Sequence, residues 1–154
     1  MITPVKKVMT KKLLTIPVGT SLFEAHEVMK ENRIRHLPVV DATDDVLGIL
    51  SQRDLNAIPD SKNIPVEWMM SSPVEYVDQN ISLRKAILLM LQKKISCLLI
   101  ADEKENAVGI VTTDDLLWHL ANLLSDETEN KPLLSFIDKQ TIGEVANELS
   151  MMGI

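Results

Sequence analysis

One cysteine, Cys97, occurs in 154 residues, so no internal disulfide can hold the chain and its fold rests on packing. Cys97 stands in the apolar run Cys97-Leu98-Leu99-Ile100-Ala101, where a thiol acts as a small buried hydrophobe rather than a nucleophile. No apolar run approaches the roughly 18 residues that cross a bilayer, so no membrane insertion is expected. The basic pairs Lys6-Lys7 and Lys11-Lys12 are not followed by the apolar stretch of a secretory signal, and a cytoplasmic location is the expectation. Also missing are a Gly-rich phosphate loop, a Gly-x-Ser-x-Gly elbow and a nucleophile paired with a base, which argues against an enzyme. His26 and His119 have no cysteine or carboxylate at ligand spacing, so no metal is expected. Met9, Met29, Met69, Met70 and Met90 read as core fillers.

Clustered positive charge is lacking too. Residues 1–60 hold eight basic and eight acidic side chains, and residues 61–154 hold eight and fourteen, which accounts for the net charge of −6. Affinity for a nucleic acid backbone needs Lys and Arg gathered to displace counterions, and is not expected here.

What the chain does have is an internal repeat. At an offset of 61, Pro4 to Ile58 aligns without a gap on Pro65 to His119, with 14 of 55 pairs identical. Unrelated segments of average composition would share roughly three. The identities include Pro4/Pro65, Val5/Val66, Ser21/Ser82, Asp41/Asp102, Gly48/Gly109 and Asp54/Asp115. A unit of about sixty residues cannot bury its apolar surface alone and pairs with its copy. The organisation is therefore read as repeat 1 over 1–60, repeat 2 over 61–124, and a polar break with a short helix over 125–154.

Each repeat has the same order of signals. Pro4 before Val5, Val8 and Met9 predicts a short lead-in helix, and Leu13 to Ile16 a strand. Ser21 with Glu24 forms a capping box ahead of a helix reaching Asn32. His36 to Val40 and Val46 to Leu50 predict a hairpin around a turn-rich stretch, with a helix from Ser51. Repeat 2 predicts strands at 75–77, 97–101 and 107–111 and helices at 82–93 and from 112 or 113. Residues 59–63 read as a short linker, and Thr141 with Glu144 as the cap of a helix over about 141–150, which must dock on something to be stable.

The candidate chemistry lies in a doubled motif, Gly48-Ile49-Leu50-Ser51-Gln52-Arg53-Asp54 and Gly109-Ile110-Val111-Thr112-Thr113-Asp114-Asp115. A strand runs into a helix whose Ser or Thr sits at the N-cap, where unpaired N–H groups favour an anion. Gly upstream admits close approach of a ligand to the backbone. Asp in the first turn can accept hydrogen bonds from a ribose diol. The same letters also describe a capping box in which Asp serves its own helix; the second occurrence favours the ligand reading.

With Val8-Met9-Thr10, Met69-Met70-Ser71 and Ile34-Arg35-His36-Leu37-Pro38-Val39-Val40-Asp41, the doubled motif resembles the cystathionine β-synthase (CBS) domain, in tandem as a Bateman module. The resemblance covers residues 4 to about 124. It implies an α/β (α+β) fold of two β-α-β-β-α repeats related by a pseudo-twofold axis. It also implies a homodimer that binds an adenosine-containing ligand between repeats (AMP, ADP, ATP, S-adenosylmethionine, NAD or a cyclic dinucleotide) and signals to a separate protein effector. Carried over by position, Asp54 and Asp115 would hold ribose, with Ser51 and Thr112 near phosphate. The base would lie among Leu14, Ile16 and Leu37 for Asp54 and among Tyr76, Val77 and Leu98 for Asp115. Arg35, His36 and Arg53 are the phosphate-binding candidates, against a plain reading as solvated surface. In repeat 2 these positions are Ser96, Cys97 and Asp114. The expectation is thus a phosphorylated ligand at Asp54. Asp115 would be empty, hold a neutral or cationic adenosine, or borrow cations from repeat 1. The alternative function is a ligand-free dimerisation or scaffold module acting through its C-terminal helix.

Overall fold

The computed structural model describes residues 2–55 and 63–124. Most of the linker expected at 59–63, and all of the helix expected at 141–150, lie outside the described residues. Repeat 1 and repeat 2 as far as Trp118 fall within one compact unit, and His119 onward belongs to a second.

In repeat 1, β1 (Ile16–Pro17) leads to α1 (Leu22–Asn32), the hairpin β2 (His36–Val40) and β3 (Val46–Ser51), and α2 (Gln52–Leu55). In repeat 2, β4 (Tyr76–Asp78), α3 (Leu83–Lys93), β5 (Cys97–Ala101), β6 (Ala107–Thr112) and α4 (Thr113–Leu124) follow the same order. Each repeat forms a three-stranded sheet, β1-β2-β3 or β4-β5-β6. In each, the first strand is parallel and the last antiparallel to the middle one. This is the mixed α+β architecture expected. The sequence placed the first strand at 13–16, three residues too early: Leu13 and Leu14 precede it.

Local causes repeat with the letters. The Ser21 hydroxyl accepts from the Glu24 N–H and the Glu24 carboxylate accepts from the Ser21 N–H, completing the capping box, while Ser82 caps α3 without an acidic partner because Lys85 stands at that position. In the hairpin turns, Asp41 Oδ1 accepts from the N–H groups of Thr43 and Asp45, and Asp102 Oδ1 from those of Lys104 and Asn106. The Thr43 hydroxyl and then these N–H groups hold Asp41 below the usual carboxylate range, and the Asn106 N–H and side-chain amide do the same for Asp102.

The middle strands divide their side chains with period two. Leu37 and Val39 face the core beneath α1, with Leu22, Ala25, Met29 and Leu50. Leu98 and Ile100 do the same in repeat 2, with Ala86, Met90 and Val111. The opposite faces meet in a third cluster of Ile49, Leu99 and Ile110, lined by Leu13, Val46, Val74 and Cys97, which joins the repeats.

A second junction is an exchange of lead-in arms. Each arm carries a three-residue 3-10 turn, Val5–Lys7 or Val66–Trp68, in place of the helix expected, and each docks on the other repeat. Val5 is fully buried in the repeat 2 core and Val66 in the repeat 1 core. The Leu83 N–H at the start of α3 donates to Thr3 O at 2.8 Å, and the Leu22 N–H at the start of α1 to Ile64 O at 2.8 Å. Each arm thereby satisfies an amide that its host helix leaves unpaired. Further along, Thr10 exchanges both backbone bonds with Ile110, and Ser71 with Ile49.

This exchange corrects the role expected for the motif glycines. A Cβ on Gly109 would lie 2.8 Å from Thr10 O, and one on Gly48 would lie 2.5 Å from Met70 Sδ and 3.1 Å from Ser71 O. Glycine is needed here because the other repeat's arm crosses the strand, not because a ligand does. The tightest contact of Gly109 is backbone, whereas that of Gly48 is a flexible thioether. Gly109→Ala should therefore cost about 1 to 3 kcal/mol of stability in urea unfolding, and Gly48→Ala less. Equal costs, or the reverse order, would contradict the packing described.

Candidate functional site

At the strand-to-helix junctions, the carboxylates at the third helical position fold back. Asp54 Oδ2 accepts from the Ser51 N–H at 2.8 Å and the Ser51 hydroxyl at 2.6 Å. Asp115 Oδ2 accepts from the Thr112 N–H at 2.7 Å and the Thr112 hydroxyl at 2.8 Å. The capping reading is thus realised at both places with one oxygen of each acid. The other oxygens differ: Asp115 Oδ1 accepts from the Thr10 hydroxyl at 3.1 Å, whereas Asp54 Oδ1 makes no hydrogen bond among the described residues. A carboxylate oxygen has two lone-pair sites, so capping and accepting from a diol are compatible.

Thr112 and Asp115 lie on a cavity of about 290 Å3 built from both repeats. Its apolar wall includes Leu13, Leu14, Ile34, Pro38, Ile110 and Trp118, its charged rim Lys12, Arg33, Arg35 and Asp114, and His36 also lines it. A second, polar cavity of about 510 Å3 shares Arg35 and His36 and adds Ser51, Gln52, Arg53, Ser96 and Thr113. A third, of about 620 Å3, lies at the edge of the second sheet, with Tyr76 and Val77 among Asp78, Asp102, Glu103 and Glu105.

Several base-site residues expected from the sequence are elsewhere. Leu14 lines the cavity of Asp115, not a site grouped with Asp54. Ile16, Leu37 and Leu98 are buried in the two cores, where the strands' alternation aims them at the helices. Val77 is likewise packed in the second core, with an edge on the third cavity, and Tyr76 is 39% exposed there. Burial and the nearby Asp45 charge raise the Tyr76 hydroxyl's pKa. Thr10, Lys12, Leu13, Arg33, Ile34 and Trp118 were not foreseen as lining residues. The hydroxyl at Thr10 and Ser71 recurs after each Met, a signal that could have pointed to the arm.

The electrostatics also cross between repeats. The Arg35 guanidinium forms an ion pair with Asp114, and His36 Nε2 lies 2.7 Å from the Ser96 hydroxyl. Burial, and then the Arg35 charge, push the His36 pKa below its ordinary value of 6.5, which favours the neutral ring. Burial raises the Cys97 thiol to about 11, which keeps it protonated and inert. Among the described residues no cluster of His, Cys, Asp or Glu could hold a metal ion, and no helix is long and apolar enough to cross a membrane.

The sequence matches the family described as CBS domain twice, over residues 5–58 and 64–122. Inosine-5'-monophosphate dehydrogenase of Methanocaldococcus jannaschii is 33% identical over 111 residues, 72% of this chain and 22% of that protein. A CBS domain-containing protein of Dictyostelium discoideum is 32% identical over 135 residues, 78% of this chain and 92% of the other. The chain spans about a fifth of the length of the first curated relatives it matches, which are enzymes. A CBS domain pair solved in complex with 5'-methylthioadenosine and S-adenosyl-L-methionine superposes with a TM-score of 0.73 at 25% identity, covering 80% of this chain and 99% of that one. A conserved protein of Pyrococcus horikoshii superposes with a TM-score of 0.73 at 31% identity, covering 82% and 98%.

The lowered His36 pKa has a consequence for stability. Below its ordinary value of 6.5 the unfolded chain takes up this proton before the folded one, so the stability His36 contributes is present above that pH and lost as pH falls through it. Urea midpoints between about pH 7.5 and about pH 5.5 should therefore fall less for His36→Gln than for the unmodified protein. Equal falls would show that this ring is not held neutral by folding.

Proposed function

We propose that this chain, which belongs to the CBS domain family, is a regulatory module that binds an adenosine-containing ligand in the cleft at Thr112 and Asp115 and passes its occupancy to a partner protein. One observation carries the reading: the cavity of about 290 Å3 gathers a diol acceptor, an apolar wall and several cations from two repeats. In this reading a ribose hydroxyl replaces Thr10 on Asp115 Oδ1, while Oδ2 goes on capping α4. The base lies against Leu13, Leu14 and Ile34, and a phosphate meets Arg33, Arg35 or Lys12. Cations of repeat 1 thus serve the acid of repeat 2. The related CBS domain pair that holds methylthioadenosine and S-adenosylmethionine supports an adenosyl ligand as the class.

The module acts as a homodimer in this reading, and the exposed Leu117, Leu120, Leu123 and Leu124 of α4 support self-association. Because both repeats wall the cleft, a ligand can favour one arrangement of their seam and pass on a coupling of about 1 to 3 kcal/mol.

A thermal-shift panel of AMP, ADP, ATP, S-adenosylmethionine and methylthioadenosine tests the proposal. At one hundred times its dissociation constant a ligand adds about 2.7 kcal/mol of stability, or several degrees for a chain of this size. Asp115→Ala should weaken binding about tenfold or more, with its unliganded midpoint measured separately to account for the lost cap. No shift with any compound would contradict the proposal.

A further inference from the structure

Asp114 is the one acid in the first turn of α4 that does not cap it, since Asp115 accepts from the Thr112 N–H and hydroxyl. Its carboxylate instead reaches across the seam to Arg35, and both side chains line the cavity of Asp115. The pseudo-twofold axis gives this pair a built-in comparison. At the offset of 61, Arg35 corresponds to Ser96 and Asp114 to Arg53, so the matching pair is a hydroxyl and a cation in place of a cation and an acid. Ser96 and Arg53 line one cavity, which Arg35 and His36 also line, and Arg35 and Asp114 line the cavity of Asp115. The two pairs match in position and differ in charge.

We infer that Asp114 is the charge-selectivity determinant of the Asp115 cleft, setting how strongly it distinguishes a phosphorylated adenosine from an uncharged one. The inference rests on the adenosyl-ligand reading above. A phosphate seated at Arg35 must share that guanidinium with Asp114 and sit beside a negative charge, whereas an uncharged adenosine against the Leu13, Leu14 and Ile34 wall leaves the ion pair intact. The discrimination is therefore electrostatic, grows with phosphate charge and weakens with salt.

Calorimetric titration of AMP, ADP and methylthioadenosine into the intact protein, Asp114→Asn, Arg35→Gln and the double variant tests it. Asp114→Asn should tighten AMP about tenfold and ADP more, with methylthioadenosine unchanged, and the gain should shrink at high salt. Arg35→Gln should weaken AMP but not methylthioadenosine, and in its background the Asp114→Asn gain should be reduced, because part of that gain comes from releasing Arg35. If every compound binds but Asp114→Asn shifts all alike or none, the selectivity inference fails while the adenosyl reading stands. If neither the unmodified protein nor Asp114→Asn binds any of the three, both fail together.

Discussion

Two backbone carbonyls, those of Thr3 and Ile64, accept from the first amides of helices in the opposite repeat, and most of the architecture depends on that exchange. A helix start leaves amides unpaired, and burying one without a partner costs about 1 to 3 kcal/mol. The same arms bury Val5 and Val66 completely in the opposite cores, each worth about 1.5 to 3 kcal/mol against exposure. Behind them, the paired bonds of Thr10 with Ile110 and of Ser71 with Ile49 add a rung to each sheet. Neither repeat holds a finished core by itself, and glycine at 48 and 109 is the steric condition for the crossing.

The cleft inherits this arrangement. The arm that crosses to Ile110 brings Thr10 to Asp115, and the chain just after it supplies Lys12, Leu13 and Leu14 to the wall. The cavity at the second motif is therefore furnished largely by the first repeat. Divergence between the copies then becomes asymmetry between the two ends of the seam. Arg35 and His36 face Asp114 and Ser96, and the polar pairs Arg35–Asp114 and His36–Ser96 tie the repeats together beside the cleft. In the proposed reading, an anion that takes Arg35 from Asp114 would alter a contact between repeats.

Much of the fold was legible because local signals and the repeat agree. The Ser21–Glu24 box, the Asp41 and Asp102 turns and the hairpin registers follow from letters close in sequence. The arm exchange was not, since Val5 and Val66 are unremarkable apolar residues whose burial depends on which copy they enter. The site was half legible. Both motif acids read as cap or ribose acceptor, and the geometry leaves room for both roles. The base wall was misread at Leu37 and Leu98, although strand alternation places 36 and 38 on the opposite face from 37. That face is the seam, and His36 and Pro38 line the cavity.

The dependence of each repeat on the other's arm is tested most directly by producing residues 1–60 and 61–124 separately and following their unfolding by circular dichroism alongside sedimentation. Neither piece should give a cooperative transition as a monomer, and mixing them should restore one, because the missing arm arrives only with the partner piece. A monomeric piece that unfolds cooperatively on its own would contradict the account.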